Sequence, residues 1–581
     1  MPKIEVNEEL FYTLTKCHFN NREEFELSLE CAKAELDEDS DKSLPKEERI
    51  LKIELNDTNR PDLWSTSGCA RQIRLYNNGK NEEYSFFSKN GEKANHKVIV
   101  EESVKEVRPF LAGFIAKGKK ITDVSLKDII QTQEKLAWNF GRKRRSVSMG
   151  LYRSDLIEFP IIYKAVSPDS ISFVPLQWDT PLTLNQILKE HPKGKEYAFI
   201  LEKEKTHPLL TDVKGNILSY PPIINSADLG AVKVGDENIF VELTGTHLPS
   251  VTLSASIVAC DLFDMGYEIE PVTVEYNYNT IFGKTITFPY YFQEKVFCSL
   301  NRVEKFLGEK LSVEDCISAL KRMGVKAEKK YGIEKSETIE SEGIEVAPPV
   351  YRNDFLHASD IIEDIMIGRG LSSFSPQRPR DFTVGRLNPI TIFSRKIKEI
   401  LLGMGYQEMI YNYLGSKKDF VEKMRGNSEK IIRISNPMTE NHEYLRDSIL
   451  SSLLISESVS GHAVYPHRIF EIGKVSYRKE EENYGTLTRQ YLGFLTADRD
   501  SNFNTVSAQI QTLFYYISCE YKVEETDDPR FISGRVAKIL YKGNVCGIFG
   551  EIHPEVLENW DITVPCIACE LDLDMLIQGT L

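Results

Sequence analysis

The stretch YRNDFLHASDIIEDIMIG, residues 351–368, places Asp354, Asp360, Glu363 and Asp364 within eleven positions. Asp360, Glu363 and Asp364 stand at i, i+3 and i+4, so a helix would gather their carboxylates on one face. Ile361, Ile362 and Ile365 would then form the opposite, buried stripe. Like charges at these spacings repel by a few tenths of a kcal/mol per pair. A hard cation with oxygen ligands turns that cost into binding, and Asp354, from the loop just before, completes the shell. The same pattern describes a solvated acidic face at a helix N-terminus, where the macrodipole favours carboxylates. Spacing by itself does not separate the two.

A second group of chemically capable residues lies in HPLLTDVKGNILSYPPIINSADLG and the nearby ENIFVELTGTH. A double proline between polar residues is a costly local choice in a folded interior. Ser219, Asn225, Ser226, Glu242, Thr244 and Thr246, with glycine at 245, supply small polar groups able to line a pocket that reads hydroxyls. Strand-end turns account for the same residues without a pocket. The third group is the basic run in EKLAWNFGRKRRSVSMGLY, where Arg142, Lys143, Arg144 and Arg145 stand beside Trp138 and Phe140. Four adjacent cations suit a phosphate backbone, and the aromatics can stack on bases; a solvated turn is the alternative. No GxxxxGK[ST] loop, GxSxG elbow or HExxH pair occurs, so the familiar nucleotide and hydrolase routes are not signalled.

Four regions must position these groups. Residues 1–90 read as an N-terminal α+β domain, in which LKIELNDTNRPDLWSTSGCARQIRLY runs from a strand through a Pro61 turn into an amphipathic helix. Residues 91–280 mix helices such as LKDIIQTQEKLAWNF with β-rich runs (EYAFILEKEK, NIFVELTGT) and end in the alternating PVTVEYNYNT. Residues 284–372 form a winged-helix-like module: SLNRVEKFLG stops at Gly308, and LSVEDCISALKRMG opens on a Ser312/Asp315 capping box and stops at Gly324. Its last helix is the acidic stretch. Residues 380–581 form another α+β domain. The expected fold is therefore multidomain α+β.

At 581 residues the chain is too long for one core. Its 41% hydrophobic and 27% charged content is that of a globular protein. A net charge of −15 argues against coating nucleic acid by bulk charge, though not against a local basic patch. No stretch approaches the roughly 20 apolar residues of a membrane span, and the opening MPKIEVNEELFYTL lacks the marks of a signal peptide. Ten scattered cysteines read as reduced thiols, so a cytoplasmic location is expected. The one CxxC, Cys566 and Cys569, sits in an alternating strand-like run without a second ligand pair, and packed thiols are expected there.

Taken together these pieces resemble the β subunit of phenylalanyl-tRNA synthetase, in its shorter archaeal/eukaryotic-type form. ELNDTNRPDLWSTSGCARQIR is similar to that family's N-terminal motif, QEKLAWNFGRKRRSVSMGLY and YPPIINS with VELTGT to its editing domain, PPVYRNDFLHASDIIEDI to its magnesium-bearing module, and GIFGEIHP to the end of its catalytic-like domain. The motifs fall in the family's order over nearly the whole chain. The resemblance implies that Asp354, Asp360, Glu363 and Asp364 hold Mg²⁺ at the contact with an α subunit. It implies an editing pocket at Leu210, Ser219, Glu242 and Thr244, in which Glu242 accepts the phenolic proton of a mischarged tyrosine and Leu210 packs its ring. The archaeal-like pattern carries aspartate at 242, so this pocket differs by one methylene. It further implies tRNA(Phe) as partner, an α₂β₂ assembly, and a last domain of class II synthetase type, with an antiparallel sheet, that has lost its chemistry. That loss is legible in the residues, because no arginine follows Arg535 to clamp ATP phosphates and Arg446 lacks its usual glutamate two positions on. ATP use would then belong to the α subunit. The alternative is an assembly subunit that binds tRNA without editing.

Overall fold

Two units make up the chain, Met1–Gln377 and Arg378–Leu581. The computed structural model describes residues 3–79, 82–87, 93–334, 340–380 and 383–577. Parts of the polar connection after residue 79 lie outside that set.

The first unit opens with a three-stranded antiparallel sheet, Ile50–Leu55 running between Lys3–Asn7 and Ala34–Glu38. The helix Thr66–Asn78 follows, capped by Ser65, whose hydroxyl accepts from Gly68 N–H, and closed by the left-handed Gly79. It is not amphipathic in the expected way. All residues from Thr66 to Leu75 are buried, arginines included. Arg71 donates to Asp261 and Asp264, and Arg74 to Asp264, on the long apolar helix Leu248–Asp264. These pairs explain why a cationic helix tolerates burial, since a desolvated charge survives only when paired. One hydrophobic core runs from Ile4 to Tyr351, joining the N-terminal sheet to the region beyond it.

That region is a ten-stranded sheet. Its main path runs Ile224–Asn225, Ile217–Tyr220, His207–Thr211, Ile161–Val166, His96–Val100, Glu268–Thr280, Phe110–Lys117, Ile239–Gly245 and Val147–Arg153. Gly283–Phe288 pairs off this path with Glu268–Thr280. The strand after the double proline returns at once, with Ser219 opposite Asn225 and Tyr220 opposite Ile224, so the prolines form a hairpin turn. The two ends of the strand order come back together, as Asn225 donates to the Leu151 carbonyl and Arg153 N–H to the Leu229 carbonyl. One expected β-run is not a strand. EYAFILEKEK, residues 196–205, takes in the end of the helix Pro192–Tyr197, the turn Ala198–Ile200 and the turn residues that follow, because Pro192 at the first helical position and His191 as cap start a helix just before it.

The module expected from 284 to 372 shows its helices at Leu300–Leu307, Val313–Arg322 and Ala358–Arg369, with Gly308 left-handed and the Ser312/Asp315 capping box formed. Its antiparallel sheet is ordered Val296–Ser299, Ser341–Ala347, Lys326–Gly332. Ile361, Ile362 and Ile365 pack in its core.

The second unit is built on a seven-stranded sheet whose centre is His467–Arg478, Thr486–Ala497, Cys566–Asp572, Asn544–Ile552 and Phe531–Tyr541, all antiparallel. One apolar cluster contains Cys569 and the helices Pro389–Gly403 and Phe503–Ile517. Another contains Cys566 and the helix Leu450–Val459. The two thiols of the CxxC thus point to opposite faces of one strand and share no ligand position. Among the described residues, no helix is long and apolar enough to cross a membrane.

Candidate functional site

Glu242 lies in the strand Ile239–Gly245, directly between Gly113 on one neighbouring strand and Gly150 on the other. Period-2 geometry puts Thr244 on the same face. Leu210 and Ser219 face each other in register on a second pair of strands. Tyr152, two residues past Gly150 and on the same face, joins the two pairs. Its hydroxyl lies 2.8 Å from Glu242 Oε2 and 2.8 Å from Ser219 Oγ, with Asn225 Oδ1 at 3.5 Å. The four residues expected from the sequence therefore come together, and all four are buried.

The closed strand order buries Glu242 to 2% exposure. Burial pushes its carboxyl up to about 7, against the opposing effects of the Tyr152 hydrogen bond, the polarity of the nearby Thr244 hydroxyl and the charge of Arg108. Oε2 is engaged by Tyr152, whereas the buried Oε1 has no hydrogen-bond partner. Thr244 belongs to a second tier. Arg108 donates to Thr244 Oγ1 at 3.0 Å, to the Thr244 carbonyl at 2.6 Å and to Ser148 Oγ at 2.9 Å. Burial lowers the Arg108 guanidinium to about 10. Sequence reasoning missed Tyr152, Arg108 and Ser148. Alternation in VSMGLYR puts Ser148, Gly150 and Tyr152 on one face and so held a signal; EVRPF carried none for Arg108.

Three of the four cations in the basic run, Arg142, Lys143 and Arg144, take left-handed backbone, with φ of 50, 56 and 64°. Such residues cost about 1–3 kcal/mol each and persist where the surroundings over-determine them. Arg144 supplies part of that determination. It donates to the Pro222 and Ile223 carbonyls at 3.2 and 3.0 Å and lies over the Tyr197 ring at 4.2 Å. It thereby anchors the basic turn to the double-proline hairpin. Arg142, Lys143 and Arg145 stay exposed. Arg142 lines a cleft of about 1350 Å³ with Lys135, Lys193, Trp138 and Tyr197.

The acidic stretch is arranged differently from its sequence reading. Arg352 holds Asp354 through Nε and Nη2, at 3.0 and 2.6 Å, and Asp364 through Nη1 and Nη2, at 2.5 and 3.2 Å. Asp360 accepts from the Leu356 and His357 N–H groups at 2.8 and 2.7 Å and so caps the helix. Glu363 pairs with Lys33 at 2.9 Å. Among the described residues, no group of three or more His, Cys, Asp or Glu side chains is gathered to hold a metal. Arg352, two residues before the first of these carboxylates, thus supplies positive charge to Asp354 and Asp364, whereas Asp360 and Glu363 are engaged elsewhere. Asp364, expected on the wet face, is buried. Dialysis against EDTA is accordingly expected to leave the unfolding midpoint of the chain unchanged; a fall of several degrees would give a bound cation the role assigned to Arg352.

In the second unit, Arg446 is fully occupied by Glu471, at 2.7 and 2.8 Å, and by Ser452 at 3.0 Å. Glu551 accepts from Arg535 at 2.7 Å and from the Phe503 N–H at 2.8 Å.

Comparison with known proteins agrees with this layout. The family model for the phenylalanyl-tRNA synthetase β-chain CLM domain matches residues 376–573, and that for the tRNA synthetase B5 domain matches residues 296–371. A protein of Borrelia duttonii named phenylalanine–tRNA ligase β subunit is 46% identical over 583 residues, covering 100% of both chains. One of the same name from Treponema pallidum is 43% identical over 616 residues, covering 99% of this chain and 100% of its own. A crystal structure of an N-terminal fragment of the Pyrococcus horikoshii phenylalanyl-tRNA synthetase β subunit aligns with a TM-score of 0.55 and 33% identity, covering 64% of this chain and 100% of the fragment. With matches spanning both units and relatives aligned end to end, the chain belongs to the phenylalanyl-tRNA synthetase β-subunit family.

Proposed function

We propose that the chain supports ATP-dependent charging of tRNA(Phe) with phenylalanine on a separate α subunit, in an α₂β₂ assembly, and that its Glu242 pocket hydrolyses mischarged Tyr-tRNA(Phe). The observation that carries the second part is a buried carboxylate with one unengaged oxygen, flanked by glycines and joined to the Leu210–Ser219 pair. Tyrosine is phenylalanine plus one hydroxyl, and an apolar pocket rejects an added hydroxyl only about a hundredfold. A second site that hydrogen-bonds the phenol supplies the rest. Water attacks the ester carbonyl carbon, the bond from that carbon to the ribose oxygen breaks, and the ribose oxygen takes the water's proton. Glu242 accepts the phenolic proton, Leu210 packs the ring, Ser219 orients the ester, and Thr244 acts through its bonds to Arg108 and Ser148. Arg142, Lys143 and Arg145 meet tRNA phosphates beside Trp138. The full match to the archaeal fragment supports the shorter archaeal/eukaryotic-type layout, although the aligned curated relatives are bacterial.

The test is single-turnover hydrolysis of Tyr-tRNA(Phe) and Phe-tRNA(Phe) by the chain complexed with its α subunit. Selective loss of Tyr-tRNA is expected. Survival of both would leave the non-editing assembly subunit.

Charging uses Mg²⁺ with ATP on the α subunit, and Asp354, Asp360, Glu363 and Asp364 are the carboxylates of this chain that would hold a further Mg²⁺ at the contact with that subunit. The chain by itself is expected to show no phenylalanine-dependent ATP–pyrophosphate exchange. Arg446 is neutralised by Glu471, Arg535 by Glu551, and no arginine follows. A phosphate clamp lacking free cations loses most of its transition-state stabilisation. Exchange by the isolated chain would overturn the assignment of charging to another subunit.

A further inference from the structure

We propose that Tyr152 is the positioning residue behind the pocket's selectivity for tyrosine: it holds Glu242 by Oε2, so that Oε1 stays presented to the phenol of the substrate. The inference rests on the editing reading above and names the residue that makes it selective.

A phenol has one proton, and of the two acceptors 2.8 Å away the carboxylate is the stronger, so Tyr152 donates to Glu242 Oε2 and the Ser219 hydroxyl donates to the Tyr152 oxygen. That fixes one oxygen of the carboxylate and leaves Oε1 buried and without a partner. A buried acceptor in that state is costly to leave unmet, and a hydroxyl delivered by a ligand meets it.

Room for the arrangement comes from Gly150. A Cβ at that position would stand 2.3 Å from the Tyr152 hydroxyl and 2.6 Å from Glu242 Oε2, so no other residue permits the contact unchanged. The Tyr152 ring is itself fully buried and packs on Phe240, with centroids 5.9 Å apart. The phenol is therefore held from its own strand by packing as well as by hydrogen bonds.

Selectivity follows from what each substrate offers. A tyrosyl ester satisfies Oε1. A phenylalanyl ester has no hydroxyl, and seating it keeps the carboxylate oxygen unmet. Without Tyr152 the carboxylate is free to turn either oxygen toward neighbouring hydroxyls, so it is less available to the substrate's phenol and the preference for the tyrosyl ester shrinks.

The experiment compares wild type and Tyr152→Phe, each in complex with the α subunit, on Tyr-tRNA(Phe) and Phe-tRNA(Phe). In Tyr152→Phe the ratio of kcat/KM for Tyr-tRNA to that for Phe-tRNA is expected to fall about tenfold, chiefly through KM for Tyr-tRNA. Because the Tyr152 hydrogen bond opposes the effect of burial on Glu242, the pH at which hydrolysis reaches its plateau should also move up. A merely structural role would lower both substrates together and leave the pH profile in place. If Tyr152→Phe hydrolyses Tyr-tRNA faster, the phenol is only a placeholder that substrate must displace, and the proposal is overturned; an unchanged ratio overturns it as well. Failure of the editing reading itself looks different, since wild type would then hydrolyse neither ester. Gly150→Ala gives a second arm: its Cβ displaces the Tyr152 hydroxyl while keeping the tyrosine, and the ratio should fall in the same direction.

Discussion

Glu242→Ala is expected to lower the rate of Tyr-tRNA(Phe) hydrolysis about ten- to a hundredfold while phenylalanine charging stays near the wild-type rate. The size follows from one charge-assisted hydrogen bond to the phenol, about 1.5–3 kcal/mol. Charging is spared because it takes place on another subunit. The fold is spared as well, since Tyr152 can donate to Ser219 Oγ at 2.8 Å once the carboxylate is gone. Glu242→Asp should keep part of the activity, being an acceptor one methylene further back, and Ser219→Ala should lose less, because water can replace a hydroxyl. The measurement is single-turnover deacylation by the α-containing complex. Hydrolysis by Glu242→Ala at the wild-type rate would remove Glu242 from the phenol site.

Burial raises the Glu242 carboxyl to about 7, so between its unfolded value near 4.5 and that pH the folded chain binds more protons than the unfolded one. The stability linked to this group is therefore fully present at acid pH and is lost as pH rises through 7, by about 3 kcal/mol in all. Glu242→Gln should remove this slope. In activity the sense is opposite: the ionised carboxylate is the stronger phenol acceptor, so wild-type hydrolysis above the chemical background rises through about pH 7.

Arg352→Ala is expected to destabilise the first unit by about 3–5 kcal/mol, the cost of leaving a buried ion pair without one partner. Asp354 and Asp364 would both lose their shared counter-charge, at sites only 8% and 2% exposed. Arg60, buried nearby, cannot replace it, being held by Asp62 through two bonds of 2.8 Å. Burial acts to raise the Asp354 carboxyl, but Arg352 outweighs it and brings the group down to about 2. Its contribution to stability is thus present above its ordinary value near 3.8 and is lost as pH falls toward 2, amounting to about 2 kcal/mol. Denaturant unfolding monitored in the first unit checks both statements. A loss under about 1 kcal/mol would show that Arg352 is not the counter-ion of this segment.

Local chemistry was legible in the sequence where neighbours along the chain decide it. The Ser312/Asp315 capping box, the stop at Gly308 and the buried stripe of Ile361, Ile362 and Ile365 depend on contacts within one or two turns, and all formed as expected. So did the strand carrying Glu242 and Thr244, whose alternation fixes a shared face. What only the tertiary structure decided is which charges and hydroxyls meet. Arg352 takes Asp354 and Asp364, two of the four carboxylates that spacing offered to a cation, and Arg71 and Arg74 turn a helix that reads as half-solvated into a buried one. Arg144 is spent on the double-proline hairpin. Tyr152 reaches Glu242, 90 residues away, across neighbouring strands, and Ser219, 67 residues away, only because the sheet brings its two ends together. Sequence periodicity reports the face a side chain occupies, which is a property of the backbone. The partner it finds across a buried space depends on long-range closure and on the desolvation that makes each charge seek the nearest opposite one, and neither is written in spacing.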